Sequence, residues 1–354
     1  MKQIVFVEKH LQIRLAQFLD QLAMPWSFSA HAQGVDFELK IGGSAFLGEV
    51  LLSRSSVHFR EKIQRLQAAA RQENRIPLLA APSLSSERQD HLRGQGICFV
   101  DLSGNAWIKA PGVLIDQRSN EKSPRGFREV NSPFADKASL VLRAMMEDPA
   151  RAWANNELAA QAGVSAGWAS QICRRLEELR YAVRTEDRKL KLFRPQDILE
   201  DWVEFYRLRK RQEYRFRLPA DSVDAVMKAV RDSRCVREHA GLFSSQAGAS
   251  LIAPHASFRE VHVYCEGLPA SLDDWRKELA LEDAPPSQSN LLLSDPYYRV
   301  AARFGSQVIE GFPLVSDLQL YLDLRSYPIR GEEAARDLFA KRLASKWRLE
   351  AAGG

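Results

Sequence analysis

The pattern that most constrains this chain lies between Asn155 and Arg194, where two helical periods flank one glycine and give way to an alternating, basic ribbon. Asn155 or Asn156 caps a short helix, ELAAQA (157–162), which stops at Gly163, a residue able to take the left-handed conformation that ends helices. Val164 plugs the gap. Ser165 then caps a second helix running to Tyr181, in which Trp168, Ile172, Leu176 and Leu179 recur as one apolar stripe. Its opposite face is small or hydrogen-bonding: Gly167, Ser170, Gln171 and Arg174. Beyond it, the polar stretch 185–188 reads as a hairpin tip and KLKLFR (189–194) as an alternating strand.

That succession spells a winged helix-turn-helix, and double-stranded DNA is the partner it predicts. Ser170, Gln171 and Arg174 are expected to read base edges in the major groove, with Ser165 and Gly167 at the start of the same helix. Arg175, Arg184, Arg188, Lys189 and Lys191 are expected to grip phosphates or a minor groove. Residues 151–194 hold nine Lys/Arg against five Asp/Glu, a local +4. The alternative for this segment is a helical hairpin used for protein contact. Trp168, on the apolar stripe, is expected in the core rather than stacked on a base.

At 354 residues the chain exceeds one ordinary core and predicts an α/β multidomain protein. Its net charge of +5 is modest, so affinity for nucleic acid has to come from local patches. A second patch is FYRLRKRQEYRFR (205–217), with six Lys/Arg and one Glu, read as either a phosphate-tracking helix or a solvated helix face. No run approaches the roughly 18 apolar residues that span a bilayer, and the N-terminus lacks a signal-peptide layout, so a cytoplasmic location is expected. Cys98, Cys173, Cys235 and Cys265 lie far apart without metal-ligand spacing and read as buried free thiols.

Residues 1–117 alternate helix and strand signals: a helix near 8–23, strands at 35–41 and 45–52, a basic helix at 57–73, a strand at 76–80, a helix at 85–94 and a strand at 97–102. This order looks like the core of the restriction-endonuclease fold, whose nuclease version pairs an acid on one strand with Glu-x-Lys on the next. Asp36 and Glu49 occupy plausible carboxylate positions, but the residue two after Glu49 is Leu51, so the lysine is absent from its place. The domain is therefore expected to be inactive. A polar linker (116–133) precedes a helix at 134–147, the first of a winged-helix domain at 133–196. Residues 197–354 are expected to form a C-terminal α/β domain for partner contact or self-association, with a helix at 221–234, a strand at 261–265, a loop at 284–290 and a last helix at 331–346.

Several segments resemble one family. IPLLAAP (76–82), LRGQGICFVDLSGNA (92–106), ILEDWVEFY (198–206), residues 241–254, LQLYLDL (318–324) and RGEEAA (330–335) are similar, in order, to AbiEi-like antitoxins and transcriptional regulators of type IV toxin–antitoxin systems. The resemblance covers most of residues 75–340, and the Asp-x-x-Gly-Asn-Ala core is its most specific part. It implies a repressor acting at its own operon, with a nucleotidyltransferase-like toxin as a further partner. Asp101 and Asn105 are read as a turn in which their side chains bond the backbone around Gly104, with a catalytic role as the alternative. The C-terminal domain has some likeness to a nucleotidyltransferase core, but VHVYC (261–265) lacks the paired carboxylates that magnesium would need.

The expected function is a sequence-specific DNA-binding regulator, a homodimer or a cooperative binder on repeats, because one winged helix reads few base pairs. No catalytic residues, cofactor, metal or membrane are expected. The alternatives are a DNA-processing nuclease guided by the winged helix, and an antitoxin acting by direct toxin contact.

Overall fold

In the computed structural model the described residues are 19, 25–30, 35–51, 56–81, 83–119, 132–179, 181–207, 212–253, 258–327 and 330–347. The helix expected over 8–23 falls outside them apart from Leu19, as does most of the expected linker. The chain divides into two units, Met1–Val130 and Asn131–Gly354.

The first unit is one seven-stranded sheet in sequence order. Strands β1 (Trp26–Ala30), β2 (Phe37–Ile41) and β3 (Ser44–Val50) form an antiparallel meander. Ile41 faces Ser44, so the β2–β3 loop is Gly42-Gly43, and Gly42 takes a φ of 56° that suits such a tight hairpin. Helix α1 (Ser56–Gln72) then crosses to β4 (Ile76–Ala81), and α2 (Ser86–Gly94) crosses to β5 (Cys98–Asp101), leaving β3, β4 and β5 parallel. Parallel neighbours need such crossovers. Strands β6 (Ala106–Ala110) and β7 (Val113–Gln117) close the sheet as an antiparallel hairpin.

The period of two sorts the apolar residues onto both faces. Leu78, Ala80, Cys98 and Val100 join Phe37, Leu39 and Phe46 on one side. Leu79, Ala81 and Phe99 meet Phe59, Ile63, Leu66 and Leu92 of the two helices on the other. Asp101 and Asn105 form the expected turn. Asp101 accepts the backbone N–H of Asn105 and of Leu84 and the Asn105 amide, each at 3.0 Å, while Gly104 sits at φ 90°.

The second unit begins with helices α3 (Asp136–Glu147), α4 (Asn155–Ala162) and α5 (Ala166–Glu178), then a two-stranded ribbon of β8 (Ala182–Arg184) and β9 (Leu190–Leu192), and helix α6 (Pro195–Arg207). Next come β10 (Glu213–Arg217), α7 (Val223–Asp232), α8 (Arg234–Glu238), β11 (Leu242–Ser244), α9 (Ser245–Ser250), β12 (Val261–Tyr264), α10 (Leu272–Leu279), β13 (Glu282–Asp283), β14 (Leu291–Ser294), β15 (Gln307–Ile309) and β16 (Phe312–Leu314). Helix α11 (Asp317–Arg325) follows, then α12 (Gly331–Leu338), which runs on through a π-helical turn to Lys346. The sheet order is β13-β10-β14-β12-β11-β16-β15.

Two expectations change. The basic stretch 205–217 is not one helix: α6 is described as far as Arg207, and Glu213–Arg217 is a strand, because Tyr214 and Phe216 pair in register with Leu293 and Leu291 of β14. Residues 208–211 lie outside the described residues. Residues 133–196 and 197–354, expected as separate domains, share one apolar core that runs from Phe134 to Trp347. Phe134 stacks on Trp202 at 5.5 Å and tilts against Tyr181 at 5.6 Å, and Tyr181 donates to Asp201 at 2.9 Å. Among the described residues, no helix is long and apolar enough to cross a membrane.

Candidate nucleic-acid interface

The cap of α4 falls one residue earlier than expected, at Ala154, whose N–H donates to Glu157 Oε2 at 3.1 Å. Gly163 ends the helix in the left-handed region at φ 63°, and Val164 packs half-buried against the core. Ser165 caps α5 as expected, its Oγ accepting the Trp168 N–H at 3.3 Å. Ala169, Ile172, Cys173 and Leu176 are buried on one side, and Trp168 packs beside them rather than facing solvent. That leaves Gly167, Gln171 and Arg174 exposed on the other side, with Ser170 half-buried.

In the ribbon, Ala182 pairs with Leu192, Val183 with Lys191 and Arg184 with Leu190. Trp153 adds a third short rung, exchanging two 2.8 Å backbone hydrogen bonds with Leu190. Alternation puts Ala182, Leu190 and Leu192 on a buried face and leaves Val183 and Lys191 on the outer one. At the tip, Thr185 and Lys189 close the turn with a 2.9 Å backbone bond, and Arg188 adopts φ 60°.

Of the ten residues singled out from the sequence, Gly167 is exposed and has no side chain to bond, and the other nine fall into two groups. Gln171, Arg174, Arg188 and Lys191 are exposed, and their side chains have no hydrogen-bond or ion-pair partner among the described residues. Others are engaged inside the protein. Ser165 is a cap, Ser170 accepts from Asn155 Nδ2 at 3.4 Å, Arg175 pairs with Glu178 at 3.1 Å and Lys189 with Asp187 at 3.0 Å. Arg184 holds Glu177 with Nε at 3.0 Å and Nη2 at 3.1 Å, and its Nη1 reaches Asn155 Oδ1 at 3.1 Å and the Arg188 carbonyl at 2.9 Å. Sequence reasoning gave neither Asn155 nor Glu177 this bridging role. The signal for Arg184 was its alternation with Ala182, which turns it inward.

The first unit holds a second polar cluster. Asp36, just before β2, accepts the Val50 N–H at 2.7 Å and Lys62 Nζ at 3.1 Å. Glu49 on β3 has no exposed side-chain surface; it accepts from Lys62, and Arg65 grips it through Nε at 2.7 Å and Nη2 at 2.8 Å. The ammonium missing from position 51 is thus supplied by α1, one turn before Arg65. Burial pushes the Asp36 carboxyl up, but the Val50 N–H and Lys62 outweigh it and hold it below the ordinary range. Two acids are matched by two cations, and both Glu49 oxygens are taken. This arrangement does not fit a divalent ion, and among the described residues no three His, Cys, Asp or Glu side chains converge to hold one.

In the second sheet, the Gly241–Ser245 turn and β12 likewise lack a metal-binding pair. His262 and Tyr264 stand at the alternate positions of β12, and Ser244 donates to Asp323 instead of facing an open cradle. Compared with known proteins, the chain matches no protein-family model, no curated protein and no solved structure.

Proposed function

We propose that this chain is a sequence-specific DNA-binding transcriptional regulator, in which residues 133–196 form a winged helix-turn-helix and α5 is the recognition helix. The observation that carries this reading is a set of exposed side chains without a partner among the described residues: Gln171 and Arg174 on α5, Arg188 and Lys191 on the ribbon. A bidentate amide or guanidinium suits base edges in the major groove, and cations on a flanking wing suit phosphates. Side chains already saturated within the protein would have to break bonds to serve either purpose.

The first unit, with its antiparallel meander, helix crossover and parallel strand, reads as a restriction-endonuclease-like core used without nuclease chemistry. The resemblance to AbiEi-like regulators adds action at the chain's own operon and a nucleotidyltransferase-like toxin as a further partner, and a cytoplasmic location goes with that role. Binding as a homodimer or cooperatively on repeats supplies the base pairs that one recognition helix does not cover.

Selection from randomised and self-genomic DNA, with competitor DNA and salt near about 0.15 M, tests this. Enrichment of one motif near the chain's own gene supports it. Binding without enrichment removes sequence specificity.

A second reading, a DNA-cutting enzyme, has Lys62 in its favour, since that residue restores the acid–acid–lysine set. The saturation of Glu49 stands against it. Cleavage of DNA with magnesium or manganese, abolished by Glu49→Gln, would establish it; inert DNA under both ions leaves the regulator.

A further inference from the structure

We propose that Arg184 is a positioning residue: a strut that fixes the angle between the ribbon and the recognition helix, rather than a contact to phosphate. The inference rests on the reading of this surface as a DNA interface and reassigns a single cation within it.

A guanidinium carries five N–H donors in a planar fork. Four of those of Arg184 are committed, to three separate elements. Two go in parallel to the Glu177 carboxylate on α5, one to Asn155 Oδ1 at the start of α4, and one to the Arg188 carbonyl in the ribbon tip. The same Asn155 donates to Ser170 Oγ on α5, so the chain of bonds ends at a side chain expected to read bases. The strand register agrees, because Arg184 pairs with the fully buried Leu190 on the inner face while Lys191 lies on the outer one. Arg184 and Glu177 are each about one-third exposed, and half-solvated pairs add little to folding stability. What the bidentate fork contributes here is direction.

The two roles predict opposite signs at Glu177. A carboxylate beside a phosphate-gripping arginine repels DNA, so its removal would tighten binding. If Glu177 anchors a strut, Glu177→Gln and Arg184→Gln each weaken binding to the selected operator, by roughly tenfold, while affinity for random DNA is unchanged. The salt slope stays the same, since no phosphate contact is lost; a contact would lower it by about one. The exchanged pair, Glu177→Arg with Arg184→Glu, restores operator affinity to within a few-fold only for a strut.

Tighter binding by Glu177→Gln, a reduced slope in Arg184→Gln, or no rescue by the exchanged pair overturns the proposal. Should the unmodified chain select no DNA, the DNA reading falls by itself. The strut is then read from hydrogen exchange of the ribbon amides at 182–192, faster in Arg184→Gln and restored in the exchanged pair; unchanged exchange refutes it.

Discussion

Arg143 Nη2 donates a 2.6 Å hydrogen bond to Gln319 Oε1, joining α3 to α11 across 176 positions of chain. The Gln319 amide turns its other end to Asp323 Oδ1 at 3.0 Å and to the Tyr206 hydroxyl at 2.8 Å. Asp323 also accepts from Tyr206 at 2.7 Å, Tyr264 at 2.6 Å, and Ser244. A buried cation and a buried carboxylate are thus linked through one neutral amide. The guanidinium lies over Trp202 at 5.2 Å and Tyr298 at 4.9 Å, and burial pushes its pKa down.

Removing the cation, or the amide that links it to the carboxylate, leaves a desolvated charge without its partner. Arg143→Ala is expected to destabilise the chain by about 3–5 kcal/mol, and Gln319→Leu by about 1–3 kcal/mol. Denaturant unfolding measures both. A change below about 0.5 kcal/mol for Arg143→Ala would show that the network carries no weight.

In the proposed interface, Arg174 and Lys191 are expected to separate base reading from phosphate gripping. Arg174→Ala is expected to cost about 1–3 kcal/mol on the selected operator and relax sequence preference, with little loss on random DNA. Lys191→Ala is expected to weaken all sequences alike and to lower the salt slope by about one. Equal losses on both kinds of DNA for Arg174→Ala would remove its base-reading role.

Glu260 makes stability acid-sensitive. Burial pushes its carboxyl up, but bonds from His262, at 3.0 Å, and Ser289, with the charges of His262 and Arg215, more than offset this and hold it below the ordinary range. A carboxyl lowered in the folded state contributes stability that is present above its unfolded pKa and lost as pH falls through the folded one. Between about pH 5 and about pH 3 the unmodified chain should therefore lose more stability than Glu260→Gln. Parallel pH curves would contradict this.

The four thiols should be silent in the folded chain. All are buried and free; burial pushes Cys173 up to about 11 and, with Glu278 beside it, Cys235 to about 12. A disulfide reagent at about pH 8 should titrate none of them natively and all four in denaturant. Rapid reaction of any one in the native chain would place it at the surface.

What could be read in advance followed from local spacing. The Ser165 cap, the Gly163 stop and the stripe Ile172-Leu176-Leu179 are set by residues within four positions of one another, and α5 begins where they require, though it closes at Glu178, with Leu179 as its cap, short of the expected Tyr181. Arg184 escaped because its partner Glu177 lies seven positions away, across a helix end, where no periodic rule pairs them. Lys62 escaped for a like reason: a motif that places lysine at the second position after Glu49 says nothing of a helix that folds back over the strand. Arg and Lys mixed with aromatics at 205–217 suit a helix as well as a strand, and β14, which decides for the strand, lies some 75 residues on. In the first unit, β1, β6 and β7 are not legible in the sequence, because short mixed-polarity runs such as AWIKA mark a strand only once a neighbour is in place, and the same holds for most strands of the second sheet.

The core that runs unbroken from Phe134 to Trp347 also bears on how such a chain can be inherited. Residues 133–196 cannot travel as a portable cassette, for grafting them onto another protein would strip Phe134 of Trp202 and Arg143 of Gln319. Recombination that keeps the proposed DNA-facing surface intact must carry the second sheet with it, so the natural seam for exchange is the one between the two units.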